Sequence, residues 1–172
     1  KNSAWRQALS LLAEMRQAKL DADIIITSTG IKACEQGGQW QQALTLLEEM
    51  LRARLEPDSI TYLGGISACG KGQQWQCALK LLSEMWGVKL EPNFISFSAG
   101  INACSKCGEW QRALVLLSVM SELAANPNAI CYNSGISACV KGLQWDKAMS
   151  LFCDMRGQIL EPSVISYSAA IG

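Results

Sequence analysis

Tryptophan stands at Trp5, Trp40, Trp75, Trp110 and Trp145, a step of 35 residues each time. Methionine keeps that step at Met15, Met50, Met85, Met120 and Met155, and cysteine at Cys34, Cys69, Cys104 and Cys139. Proline follows at Pro57, Pro92, Pro127 and Pro162. Four residue types share one period with no insertion, so the chain is a tandem repeat. Complete units run over 24–58, 59–93, 94–128 and 129–163, with partial units at 1–23 and 164–172. A unit this short cannot bury its own apolar face, and its stability must come from stacking on its neighbours. Neither end reads as a polar cap, so the chain is expected to be a piece of a longer array.

Within a unit the apolar spacing describes two helices. From Ile60 to Lys71, Tyr62, Ile66 and Cys69 follow helical spacing, as do Phe97, Ile101, Cys104 and Tyr132, Ile136, Cys139. Gly72 and Gln73 then separate a second helix, expected from about Gln74 to Trp86, with Trp75, Ala78, Leu79, Leu82 and Met85 on one face. Val88 through Asn93 contain Pro92, which lacks an amide and restricts the residue before it, and end that helix. The fold class is therefore all-α, a right-handed α-solenoid of stacked helix-turn-helix repeats. Gly30, Gly65, Gly100 and Gly135 fall inside the first helix, where glycine costs about 1 kcal/mol relative to alanine. Either a neighbouring helix packs closely there or a ligand reaches the backbone.

Composition narrows the function. Lys plus Arg number 15, Asp plus Glu number 15, and histidine is absent. The balance excludes a strongly basic nucleic-acid arm, and the missing histidine removes the group on which most catalytic triads and mixed zinc sites depend. No window approaches the apolar length of a membrane span, so no membrane partner is expected. Cys104-Ser105-Lys106-Cys107 is a lone Cys-x-x-Cys with no second pair, and the periodic cysteines read as small buried residues of a reducing compartment. Phosphate-binding glycine loops of either common type are missing. No cofactor, metal, small-molecule substrate or in-chain catalysis is expected.

Period and residues together resemble the pentatricopeptide repeat family in its plain 35-residue form. The likeness is carried by Ser59-Ile60-Thr61-Tyr62, Ile66 through Gly72, Trp75 through Met85, and Leu90-Glu91-Pro92-Asn93. It implies sequence-selective binding of single-stranded RNA, one nucleotide per repeat, within the recognition mode in which a few side chains per helical repeat read one base. In the family the fifth and thirty-fifth residues of a repeat act together on the base edge. Carried over, Ser28 with Asp58 resembles a guanine reader, Ser98 with Asn128 an adenine reader, and Asn133 with Ser163 a cytosine reader tolerating uracil. Leu63 with Asn93 departs from the pattern, because leucine neither donates nor accepts a hydrogen bond. The implied target is 5′-GNAC-3′. Ser168 belongs to a further reader, and Asp23 closes a repeat that begins before the chain.

The resemblance also assigns Ile25, Ile60, Ile95, Ile130 and Ile165 to sandwiching the bases; ordinary burial at a helix start is the alternative. Lys71, Lys106 and Lys141, with Gln36 in the earlier unit, take the phosphate-proximal position. Three such lysines imply a shallow salt slope of about −2, since each phosphate contact on a single strand contributes about −0.7. Tyr62, Phe97, Tyr132 and Tyr167 read as core, and the tryptophans as helix packing and not base platforms. The resemblance places the protein in a mitochondrion or chloroplast, in RNA processing, stability or translation. The competing readings are a protein-interaction scaffold and the targeting module of a larger RNA-processing enzyme. The family's deaminase and nuclease domains find no match here: there is no His-x-Glu, and Glu48, Glu49 and Glu84 read as surface charges.

Overall fold

The structure, a computed structural model, describes residues 4–18, 23–123, 125–158, 160, 162 and 164–171. All regular structure among them is helical. The chain forms two compact units, one ending at Glu91 and the other beginning at Pro92. The first holds α1 (Ala4–Gln17), α2 (Ile24–Gly37), α3 (Trp40–Arg52), α4 (Ser59–Lys71) and α5 (Trp75–Gly87). The second holds α6 (Phe94–Cys107), α7 (Trp110–Glu122), α8 (Ala129–Lys141), α9 (Trp145–Gly157) and α10 (Val164–Ile171). Helix bounds agree with the sequence reading to within a residue.

Each helix begins and ends for a local reason. Asp23, Asp58, Asn93 and Asn128 are the N-caps of α2, α4, α6 and α8, their side chains accepting hydrogen bonds from the first-turn amides. The first helices end in paired backbone bonds: Gln74 N donates to Cys69 O at 2.9 Å and Gln73 N to Gly70 O at 3.4 Å, closing a Schellman turn. The residue at that turn has positive φ throughout: Gly38 at 69°, Gln73 at 57°, Gly108 at 72° and Leu143 at 57°. The same bond terminates the second helices, Leu90 N donating to Met85 O at 3.0 Å.

In the first unit α2 packs on α4, and in the second α6 packs on α8 and α8 on α10. Within each unit α3 touches α2 and α4, and α7 touches α6 and α8, so these second helices pack on the first helix of their own repeat and on that of the next. The periodic residues make the core. Met50, Met85, Met120 and Met155 are buried, as are Cys34, Cys69, Cys104, Cys139 and the isoleucines Ile31, Ile66, Ile101 and Ile136. Tyr62, Phe97 and Tyr132 are buried as expected. Tyr167 is not: it is 52% exposed on α10, its ring 5.2 Å from that of Phe152.

The in-helix glycines resolve toward packing. A Cβ on Gly30 would lie 2.7 Å from Leu12 Cδ1 and 3.2 Å from Leu46 Cδ1. On Gly135 it would lie 2.6 Å from Leu117 Cδ1 and 3.2 Å from Leu151 Cδ1. Both leucines come from second helices, so these glycines face the interior and offer no access to a ligand. The tryptophans do the same work at the helix ends, the Trp40 indole closing on Gly72 and that of Trp110 on Gly142. These two pack helices, as the sequence indicates, whereas Trp145 is 46% exposed.

Candidate nucleic-acid interface

The face of α8 left free by this packing carries Ile130, Asn133, Ser134, Ser137 and Lys141, spaced as one helical stripe. With Asn102, Ser105 and Lys106 of α6 and Ile165, Ser168 and Ala169 of α10, that stripe lines an open groove of about 490 Å³. A volume of this order falls within the range of small-ligand sites. Three expected roles meet in it: base-edge readers Asn133 and Ser168, isoleucines Ile130 and Ile165, and lysines Lys106 and Lys141. Asn133 Oδ1 is buried and has no hydrogen-bond partner among the described residues. A buried polar atom without a partner is costly, and a ligand in the groove would satisfy it.

All five isoleucines of the repeat boundary are between 43 and 73% exposed, which is incompatible with simple core burial. An aliphatic side chain held at a helix start and left in water is available to a flat apolar partner. Ser28 is half-buried, its Oγ donating to Ile25 O at 3.0 Å. Leu63 is half-buried, and its side chain ends in methyl groups only. Ser163 lies outside the described residues.

The structure joins Ser98 to Asn128 through one residue. Ser98 Oγ and Cys131 Sγ are hydrogen-bonded at 2.9 Å, and Cys131 N donates to Asn128 Oδ1 at 3.1 Å. Asn128 Oδ1 also accepts from Ile130 N at 3.1 Å. Since these partners are amide donors, the atom they meet must be the oxygen, and the amide nitrogen is the group left over. Asn93 is held likewise by Ile95 N at 3.0 Å and Ser96 N at 3.1 Å. Asp58 Oδ1 accepts from Thr61 N at 2.8 Å and Thr61 Oγ1 at 2.6 Å, leaving a carboxylate oxygen over. Capping thus turns an Asn into a donor and an Asp into an acceptor toward any ligand. These residues, expected from the resemblance as base readers, are also helix caps, and an Asp or Asn directly before a helix is the ordinary cap signal.

Lys71 departs from expectation. Its Nζ lies 3.1 Å from Glu35 Oε1 and 3.1 Å from Glu35 O, so it is not a free phosphate ligand. Glu35, 8% exposed, also accepts from Ser67 Oγ at 2.8 Å and pairs with Lys32 Nζ at 2.7 Å. Lys106 and Lys141 are exposed and carry no ion pair among the described residues. Burial pushes the Glu35 carboxyl toward its neutral form, but hydrogen bonds from Lys32, Ser67 and Lys71 outweigh it and hold the group below the usual carboxylate range. Asp58 is lowered by its hydrogen bond with the Thr61 side chain. A group whose pKa is depressed on folding stabilises the fold above its unfolded pKa and loses that contribution as pH falls through the folded one. Thermal melts should therefore show stability declining as pH drops below about 4.3, with a shallower decline in Glu35→Gln.

Among the described residues no group of three or more Cys, Asp or Glu is placed to hold a metal ion, and no helix is long and apolar enough to cross a membrane. Burial pushes the Cys104 thiol up to about 11, with the nearby Glu109 and Cys107 adding to it, which suits a packed thiol and not a reactive one.

Stacked helical hairpins define the class: a helical-repeat protein, whose second unit carries an open groove on its first helices. The profile described as pentatricopeptide repeat domain matches residues 46–107 and 80–142, that of the PPR repeat family 127–172, and that of the PPR repeat 31–55. The chain belongs to the pentatricopeptide repeat family. Comparison with curated proteins gave no match. Among solved structures, the pentatricopeptide repeat protein PPR10 from maize is 27% identical with a TM-score of 0.74, the match covering 98% of this chain and 24% of that one. The same protein in complex with an 18-nt psaJ RNA element gives 21% identity and a TM-score of 0.77 over 94% of this chain and 24% of that one. The PPR domain of Arabidopsis thaliana protein-only RNase P 1, in complex with tRNA, gives 14% identity and a TM-score of 0.81, covering 95% and 86% of the two chains. The chain thus spans about a quarter of the length of the maize protein.

Proposed function

We propose that this chain binds single-stranded RNA along the free face of its first helices, one nucleotide per repeat, with 5′-GNAC-3′ as the favoured sequence. The observation that carries the reading is the groove of the second unit, where Asn133, Ser168, Ile130, Ile165, Lys106 and Lys141 line one space and Asn133 Oδ1 has no hydrogen-bond partner among the described residues. Single-stranded bases expose their pairing edges, and side chains repeated at a fixed spacing can read them in turn. The exposed isoleucines supply apolar surface on which a base can lie. Family membership, and structural likeness to proteins solved with RNA, support the same assignment. By the same reasoning the chain acts by occupying a transcript in a mitochondrion or chloroplast, and any chemistry on that transcript is supplied by other segments or partners.

Titration of a 5′-GNAC-bearing strand against a scrambled one, at two salt concentrations, tests the reading. Tighter binding of the first strand is expected. With Lys71 engaged by Glu35, two lysines remain for phosphates, and the salt slope should be about −1.4. Equal affinity for the two strands would reject sequence selectivity. No RNA binding at all would instead favour a protein-interaction scaffold.

A further inference from the structure

The two units contain the same step between consecutive first helices, displaced by two repeats, and they fill it differently. In the second unit Asn102, Ser105, Ser137 and Lys141 line the open groove. Their counterparts in the first unit are Lys32, Glu35, Ser67 and Lys71. There the Glu35 carboxylate is bound by all three neighbours, at 2.7 Å from Lys32 Nζ, 2.8 Å from Ser67 Oγ and 3.1 Å from Lys71 Nζ. Two ammonium groups and a hydroxyl converging on one anionic group are what a phosphate would demand of a protein. The chain supplies that anion itself.

We infer that Glu35 takes the place of an RNA phosphate at the α2/α4 step, so that the strand's backbone is held at the α6/α8 step and refused at α2/α4. The inference rests on the RNA-binding reading above and adds a determinant to it. A phosphate arriving at α2/α4 meets a nearly buried negative charge and two lysines already committed. At α6/α8 the equivalent residue is the neutral Ser105, itself buried, and Lys141 remains available. Ser28 and Asp58 therefore read their base without a backbone anchor beside them, and the guanine position should contribute least to affinity among the polar readers.

The paired exchange Glu35→Ser and Ser105→Glu tests this, each variant giving one step the residue of the other. Glu35→Ser frees Lys32 and Lys71. It is expected to tighten RNA binding roughly 5-fold at low salt and to steepen the salt slope by about 0.7 to 1.4. Ser105→Glu should weaken binding by a similar factor and flatten the slope. If Glu35→Ser loses stability in a thermal melt, the Ser105→Glu variant, which removes no ion pair, decides alone. Wild-type binding with unchanged slopes in both variants would overturn this inference and leave the RNA-binding reading intact. Failure of the wild-type chain to bind any RNA would overturn that reading and this inference with it.

Discussion

Replacing Asn128 by Asp is expected to move the preference of its repeat from adenine toward guanine, with folding unharmed. The side chain has two terminal atoms, and one is committed. Asn128 Oδ1 accepts from Ile130 N and Cys131 N at 3.1 Å each, as the cap of α8. An aspartate makes the same bonds with either oxygen, and its charge at a helix N-terminus is favourable. Stability should therefore stay the same or rise slightly. What changes is the other atom: the amide nitrogen donates, whereas a second carboxylate oxygen accepts. Adenine presents an acceptor at N1 and guanine presents an N–H there. One matched and one mismatched bond together should shift discrimination by about 1–3 kcal/mol, roughly 5- to 150-fold. Competition binding with strands differing only at that base reads the effect, and an unaltered preference would reject the pairing of Ser98 with Asn128.

The second large effect concerns the lock between repeats. Gly72→Ala should lower stability by about 1–2 kcal/mol, because a Cβ there would lie 2.2 Å from Trp40 Cδ1 and 2.6 Å from its Cγ. Overpacking of this kind costs about 1–3 kcal/mol, while the entropy removed from the unfolded chain returns only about 0.4–1 kcal/mol. Little helix propensity is recovered, since Gly72 lies just past the end of α4 at φ −81° and ψ 5°. Gly87→Ala is the control. Nothing lies within 4 Å of a Cβ at that position, so the exchange should be neutral or stabilising. Urea denaturation midpoints compare the two. Equal midpoints for Gly72→Ala and wild type would show that the indole has room to swing aside. Trp40 closes over the turn that follows Lys71, at one end of the α2/α4 step.

Much of the molecule can be read in one repeat. The spacing of Tyr62, Ile66 and Cys69 predicts the buried face of α4, and Pro92 predicts where the preceding helix has stopped. The cap role of Asn128 was legible as well, from its place directly before a helix. Asn102 and Ser137 each stand four residues after a reader, Ser98 and Asn133, and Ser134 stands four after Ile130, a usable helical signal for the same face. Cys131 gave none: a thiol beside Ser98 depends on how α8 lies against α6.

Periodicity, helix ends, turn residues and the buried stripe depend on neighbours a few positions apart, because backbone hydrogen bonds and side-chain faces repeat over one or two turns. Those features were settled along the chain. The pairing of polar side chains was settled across it. Lys71 and Glu35 are 36 residues apart, and Ser98 and Cys131 are 33 apart. Only the stacking of one hairpin on the next brings such groups within reach, and it decides whether a recurrent lysine meets solvent or a carboxylate.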